Sequence, residues 1–464
     1  MHNQTLLTFL GLLHFFVFSF ASSKPNLIVV MCDDLGYADV GFNGCKEIPT
    51  PHIDSIAANG VRFSDAYVAY PVCGPSRAAF LTGRYGQRFG FERNPQYLPS
   101  DPNMGLPKEE KTIAERLKPV GYKSGIVGKW HMGAHLESHH PLNRGFDYFY
   151  GHLGGGHRFL PEELTLKDSY NITGENDSYR TWILKNHEPV PPKKYLTDEF
   201  SDEAVAFVER NQKDPFFLFL SYNAPHLPLQ ATDKYLDRFP ELTGKRKIYA
   251  AMVSAVDDGV GRLLKTLDKL ELSENTLVFF LSDNGGPYKK NASENTPLKG
   301  GKGDIWEGGN RVPFALQWKG KLEGGREFTE IVSSLDIMAT ICDLSQAPKV
   351  PEKPLDGVHL IPYLTGSKKG VPHESLFIRK FDQQKFSARQ GAYKLVLEKE
   401  GAPAKLYNLQ KDITENENLA NQLPEKTTEL EKLLNTWTNS LKEPQFLGLI
   451  HSPEWQKKLK KKQK

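Results

Sequence analysis

Asn26-Leu27-Ile28-Val29-Val30-Met31-Cys32-Asp33-Asp34 is an apolar run that ends in two adjacent carboxylates. Its apolar residues from 26 to 31 are continuous rather than alternating, which is how a strand reads when both faces of its sheet are covered. Three more runs share this texture: Ser124–Val127, Phe216–Leu220 and Leu277–Leu281. Helix-period segments lie between them. Thr112–Leu117 runs towards Gly121, and Asp198–Glu209 follows Thr197, a residue suited to cap it. The longest spans Lys245 to Leu270, with Tyr249, Met252, Val253, Val256, Val260, Leu263, Leu264, Leu267 and Leu270 stepping by three and four. Strands alternating with helices predict an α/β fold with a large, mainly parallel sheet covered by helices.

The texture changes after Gly370. Ser375–Arg379, Lys385–Arg389 and Tyr393–Glu398 read as short strands, followed by a polar helix from Pro424 to Leu441. The expected division is a large domain over 24–370 and a small C-terminal subdomain over 371–445, an antiparallel sheet of four strands with one helix. A basic tail, 446–464, ends in Lys460, Lys461, Lys462 and Lys464, and fits a solvated terminus. Residues 1–23 carry the apolar run Leu6–Ala21 followed by Ser22 and Ser23, the pattern of a signal peptide. No other segment is apolar enough to span a bilayer, so an exported protein with no stable membrane anchor is expected. The net charge of +3 over 464 residues gives no ground for nucleic-acid binding. Four cysteines (Cys32, Cys45, Cys73, Cys342) show neither metal-type spacing nor a disulfide framework. Leu160–Pro192 reads as a long surface excursion, and Asn171, Asn176 and Asn291 each open a glycosylation sequon.

Polar residues gather where the apolar runs stop. Asp33 and Asp34 follow the first, Lys129 and His131 the second, His226 the third, and Asp283 and Asn284 the fourth. In an open parallel sheet ligands bind at the carboxyl ends of the strands, so these residues converge on one crevice. Asp33, Asp34, Asp283 and Asn284 offer only hard oxygen ligands, the set that suits calcium or magnesium. The competing reading is a pair of Asx turns, but three converging carboxylates repel one another unless a cation neutralises them. Cys73 opens Cys73-Gly74-Pro75-Ser76-Arg77, whose Pro75 and Ser76 suit the first turn of a helix. Two readings of Cys73 stay open on these grounds: a thiolate activated by the helix dipole and Arg77, or an inert buried thiol.

Cys73-Gly74-Pro75-Ser76-Arg77 with Leu81-Thr82-Gly83-Arg84 resembles the signature of the type I sulfatases, in the alkaline phosphatase superfamily. The stretch from Gly121 to Gly128-Lys129-Trp130-His131 is similar to a second signature of that family. Asp33-Asp34-Leu35-Gly36, Ala224-Pro225-His226, Ser282-Asp283-Asn284-Gly285 and Gly301-Lys302-Gly303 match further motifs in order. In texture the chain resembles bacterial polysaccharide sulfatases of the ulvan or carrageenan type. Arylsulfatase A and N-acetylgalactosamine-6-sulfatase are its animal counterparts.

The resemblance implies a sulfatase in which a maturation enzyme converts Cys73 to formylglycine, present as a geminal diol. It implies one Ca2+ held by Asp33, Asp34, Asp283, Asn284 and an oxygen of modified Cys73. It gives Asp283 the proton of the attacking diol oxygen. Lys129, Lys302 and Arg77 supply positive charge, and His226 with Lys302 protonates the departing alcohol. His131 removes the second diol proton, which expels sulfate. The implied substrate is a sulfated carbohydrate, with algal polymers such as ulvan or carrageenan ahead of glycosaminoglycans. The implied location is the periplasm or exterior of a bacterium. His135, His139, His140, Arg144, His157 and Arg158 cluster after the second signature, and of these His135, His157 and Arg158 are the expected substrate contacts. Lys299 receives no role. Two rival expectations accompany this one: a phosphonate or phosphodiester hydrolase of the same superfamily, and a non-catalytic binder of sulfated glycans if Cys73 is never converted.

Overall fold

The computed structural model describes residues 24–95, 101–134, 136–163 and 182–451. The expected signal peptide, the end of the basic tail, His135, the Asn171 and Asn176 sequons and most of the Leu160–Pro192 excursion lie outside these residues. Among the described residues no helix is long and apolar enough to cross a membrane.

Ten strands form the main sheet. Five neighbours at its centre are parallel, in the order Thr276–Ser282, Asn26–Cys32, Phe216–Ser221, Lys123–Lys129 and Tyr148–His152. Short strands, several of them antiparallel, extend both edges. The four apolar runs are these central strands, and a fifth, Tyr148–His152, joins them.

Both faces are covered, as unbroken apolar strands require. Leu27, Val29 and Met31 point into a core shared with Phe80, Leu81, Met338 and Ile341 of the helices Cys73–Thr82 and Leu335–Ser345. Their neighbours Ile28, Val30 and Cys32 point into the opposite core, with Phe200, Val208, Met252 and Val256 of the helices Leu196–Asn211 and Gly244–Lys269. Each such Leu, Val or Met contributes about 1.5–3 kcal/mol by leaving water. The helix Leu196–Asn211 starts earlier than the sequence predicts. Tyr195 occupies its cap position, and Thr197 lies inside the first turn, wholly buried. Apolar Leu196, docked in the core, sets that start, overriding the capping preference of Thr197. Thr112, by contrast, caps its helix with Glu115 in a reciprocal capping box.

The C-terminal strands Ser375–Lys380, Lys385–Gln390, Tyr393–Leu397 and Lys405–Asn408 form a separate antiparallel sheet. The helix Pro424–Thr438 lays Leu430, Leu434 and Trp437 on it, with Trp437 stacked on Phe377. A buried charge cluster fastens this sheet to the larger part. Lys394 Nζ lies 2.8 Å from Glu307 Oε1 and 2.9 Å from Glu415 Oε1, all three side chains being nearly inaccessible. Removing one partner of such a group strands charge away from water. Lys394→Ala is therefore expected to cost about 3 kcal/mol or more, read as a fall in the urea midpoint of unfolding. A midpoint shift near zero refutes the fastening role.

Candidate active site

Strand register brings the polar ends level. Cys32 pairs with Ser282, Met31 with Ser221, Gly128 with Ser221, and Lys129 with His152. The residues that follow leave the sheet side by side. The Asp33 amide donates to Ala224 O and the Asp283 amide to Cys32 O, each at 3.0 Å. Gly128 makes the approach possible: its φ is +112°, and a Cβ there would stand 1.9 Å from Ser221 O. Asp34 and His131 also hold positive φ values, of 67° and 60°, strained positions of the kind that gather at functional sites.

Cys73 is the first residue of the wholly buried helix Cys73–Thr82, and its sulfur faces the strand ends. Sγ lies 2.9 Å from Lys302 Nζ and 3.5 Å from Asp33 Oδ1. One ligand atom from each of Asp33, Asp34, Asp283 and Cys73 falls within 4.8 Å of the others. Lys129 Nζ pairs with Asp33 Oδ2 at 2.6 Å and Lys302 Nζ with Asp34 Oδ1 at 2.7 Å. Arg77 reaches Asp283 Oδ2 through Nε at 2.9 Å, and its Nη1 donates to Ser221 Oγ.

Asn284 tests whether this group suits a cation. Its Nδ2 donates to Asp34 Oδ1 at 2.7 Å, which leaves Oδ1 as the free ligand atom. That oxygen is buried without a hydrogen-bond partner. An orphaned carbonyl beside three carboxylates is what a hard divalent ion takes up. The residues present fit such an ion.

Electrostatics inside the site are set by burial first. Burial pushes the Cys73 thiol up to about 12 against the pull of Lys129 and Lys302. Burial thus works against a resting thiolate at Cys73, despite the two lysines beside it. Burial and the adjacent Asp33 raise Asp283 to about 7 in the ion-free protein. Burial also acts on Asp33, but Lys129, His226, Arg77 and Lys302 outweigh it and hold that carboxyl well below its usual range. His131 is pushed far down by burial, then by Lys129 and Arg77, so it stands as a neutral imidazole with neither nitrogen partnered among the described residues. His226 is lowered by burial against the pull of Asp33 and Asp34. Its Nδ1 lies 2.7 Å from Leu227 O, which fixes the proton on Nδ1 and leaves Nε2, 3.6 Å from Asp34, to exchange protons.

A family model described as Sulfatase matches residues 25–347. The chain belongs to the sulfatase family. It is 33% identical to human steryl-sulfatase over 77% of this chain and 73% of that relative. It is 34% identical to the N-acetylgalactosamine-6-sulfatase of Canis lupus familiaris, over 75% and 67% of the two chains. Among solved structures, Ps i-CgsB in complex with k-i-k-neocarrahexaose superposes with a TM-score of 0.87 at 38% identity, covering 94% of this chain and 97% of that one. These relatives identify this chain as a sulfatase of the alkaline-phosphatase-like fold that hydrolyses sulfate esters.

The sulfatase brings Asp33, Asp34, Cys73, Arg77, Lys129, His131, His226, Asp283, Asn284 and Lys302 into one site. It does not bring the histidine-rich stretch there as a group. His139 and Arg144 are buried, and Arg144 donates to the carbonyls of Leu106 and Glu110. His140 stacks on His187. His157 is buried against His152, with ring centroids 5.3 Å apart, and Arg158 is half-buried beside it. Lys299 packs over Trp306 and donates to Glu415 O, a structural role. Asn291, the sequon within the described residues, is fully buried and therefore closed to glycosylation. Two supporting residues escaped sequence reading. Ser221 joins Arg77 to Lys129 O, and His152 sits at zero exposure behind Lys129. His152 ends a central strand, so the carboxyl-end rule would have found it had Tyr148–His152 been read as one.

The burial of Cys73 has a direct chemical readout. In protein whose residue 73 is still a thiol, burial keeps the side chain largely protonated and closed to reagents. Iodoacetamide is expected to label the half-exposed Cys45 well before Cys73, as peptide mass will show. Rapid labelling of Cys73 in the folded protein refutes its placement.

Proposed function

We propose that this sulfatase removes sulfate from a sulfated carbohydrate, using a formylglycine made from Cys73 and one calcium ion. The observation that carries the carbohydrate reading is the likeness over 94% of the chain to a protein solved with k-i-k-neocarrahexaose. Carrageenan-type oligosaccharides therefore come first among substrates. The formylglycine reading is supported by Cys73-Gly74-Pro75-Ser76-Arg77, which resembles the motif modified in this family, and by the place of Cys73 among the charged groups. A formylglycine-generating enzyme is the partner this requires. Export, to the periplasm or beyond, is the matching location for an enzyme of polymeric substrates.

Asp33, Asp34, Asp283 and Asn284 would hold the calcium ion, which when bound supplies Lewis-acid charge to a sulfate oxygen and to the nucleophile. A hydrated aldehyde at residue 73 would supply one hydroxyl to attack sulfur and a second whose deprotonation would release sulfate and restore the aldehyde. Asp283 accepts the proton of the attacking hydroxyl, and Arg77 fixes it from behind. Arg77 thus acts through Asp283. Lys129 and Lys302 carry charge for the sulfuryl oxygens. His131, neutral and unpartnered, takes the second proton.

Depth assigns the leaving group. Asp33, Asp283, Lys129 and Arg77 have no accessible side-chain surface, whereas His226 keeps 9% and Lys302 17%. The alcohol departs towards solvent, past those two residues, so they are the groups that protonate it.

Free sulfate released from carrageenan, ulvan and glycosaminoglycan oligosaccharides by enzyme co-expressed with a maturation enzyme tests this reading. The peptide containing Cys73 should carry an aldehyde, and Cys73→Ser should lose about 10⁴-fold or more in kcat. Full activity in Cys73→Ser removes the aldehyde mechanism. Chelation of calcium should abolish turnover and lower the melting temperature. Calcium at a hundredfold over its Kd returns about 2.7 kcal/mol of stability. A melting temperature indifferent to calcium removes that ion.

A further inference from the structure

A cleft of about 460 Å³ opens beside the reaction centre and shares Lys302 with it, while Val72 in its wall adjoins Cys73. Its volume suits a small ligand or part of a larger one. Three structural units wall it: Arg93 and Asn94 beyond the Cys73 helix, the short turn Tyr288–Asn291, and Lys380 at the end of a C-terminal strand with Asp382 in the turn that follows.

The cations in this cleft are not equivalent. Lys302 is committed to Asp34 and the residue-73 side chain. Lys380 donates to Gly303 O, and Arg93 pairs with Asp382, Nε to Oδ2 at 2.9 Å. Lys289 and Lys290 are exposed and, among the described residues, pair with no acidic group. Beside them Tyr288 is 42% exposed, and the Lys289 ammonium lies over one side of its ring, 5.5 Å from the centroid.

The turn that carries these three residues is not a loose loop. Asn291 is fully buried, its Nδ2 donates to Asp34 O at 3.3 Å, and its Oδ1 accepts from the Ser293 amide at 3.0 Å. The backbone of Asp34, a residue of the cation-binding group, thereby fixes where Tyr288, Lys289 and Lys290 stand. A buried asparagine anchors a part-exposed ring and two ammonium groups, which pair with no carboxylate among the described residues, in the wall of the cleft that Lys302 shares with the reaction centre.

We propose that this turn is a second anion subsite: Lys289 and Lys290 bind another sulfate carried by the substrate, and Tyr288 supplies the face on which a sugar ring lies. The inference rests on the carbohydrate reading and narrows it to multiply sulfated saccharides. Paired, exposed lysines suit a sulfate that remains partly hydrated, and an open aromatic face suits the apolar face of a pyranose.

The test compares kcat/KM on oligosaccharides of one backbone that carry one or two sulfates. Mature enzyme should prefer the doubly sulfated substrate, and added salt should erode the preference. In Lys289→Ala/Lys290→Ala the preference should fall roughly tenfold or more, mainly through KM. Lys289→Arg/Lys290→Arg should retain most of it. Tyr288→Ala should raise KM on both substrates and Tyr288→Phe should not, since stacking needs the ring alone. Equal rates on the two substrates with mature wild-type enzyme overturn the subsite. So does an alanine variant that loses equally on both. Turnover of aryl sulfate with no saccharide cleaved is a different failure, because it removes the carbohydrate reading on which the subsite stands.

Discussion

Asp33, Asp34 and Asp283 stand around one sulfur atom with almost no access to water. Left alone, three carboxylates so placed would repel one another and hold protons rather than charge. The protein partly offsets this with Lys129 on Asp33, Lys302 on Asp34 and Arg77 on Asp283, one cation for each carboxylate. Those pairs leave Asp283 titrating near neutrality and an asparagine oxygen without a partner. The cluster is balanced in formal charge but unfinished in coordination. A divalent ion there would complete the coordination and leave the site positive, the condition for holding a sulfuryl group as negative charge grows on its oxygens.

Such a cluster can be held only by a rigid frame, and the parallel sheet provides one. Each carboxylate sits one or two residues past a strand whose register is fixed by neighbours on both sides. The strands are fixed in turn by apolar side chains alternating between two cores. A slip of one residue would exchange those cores and move Asp33 away from Asp283. Catalytic geometry and hydrophobic packing are therefore the same constraint, expressed at the end and the middle of one strand.

This coupling explains which parts could be read from sequence. The strands were legible because full burial leaves an unbroken apolar run, and the site because polar residues at several strand ends have one place to meet. The family motifs then supplied Cys73, Arg77 and Lys302, which no strand end announces. The start of the Leu196–Asn211 helix was misread because core contact by Leu196 outweighs a capping preference. The histidine-rich stretch divides between two roles that composition alone does not separate. Imidazole and guanidinium groups after a catalytic motif look like ligand contacts, yet Arg144 is there to satisfy buried carbonyls and His140 to stack on His187. Composition does not distinguish a polar residue that serves the backbone from one that serves a substrate; only its partners do. Tyr288, Lys289 and Lys290 show the converse, since a sequon at Asn291 gave no hint that the asparagine is an internal anchor.

The walls of the cleft belong to units that the sheet does not dictate. The reacting groups come from strand ends and the Cys73 helix, whereas Lys289 and Lys290 come from a four-residue turn and Lys380 from the separate C-terminal sheet. Changes in those walls leave the register of the central strands untouched, so specificity can vary while the chemistry stays in place. The buried Lys394, Glu307 and Glu415 cluster then acquires a meaning beyond stability. It sets the distance between the C-terminal wall of the cleft and Lys302, whose loop runs directly into Glu307. The same buried charges that fasten the C-terminal sheet thus hold Lys380, on one wall of the cleft, against the loop that carries Lys302.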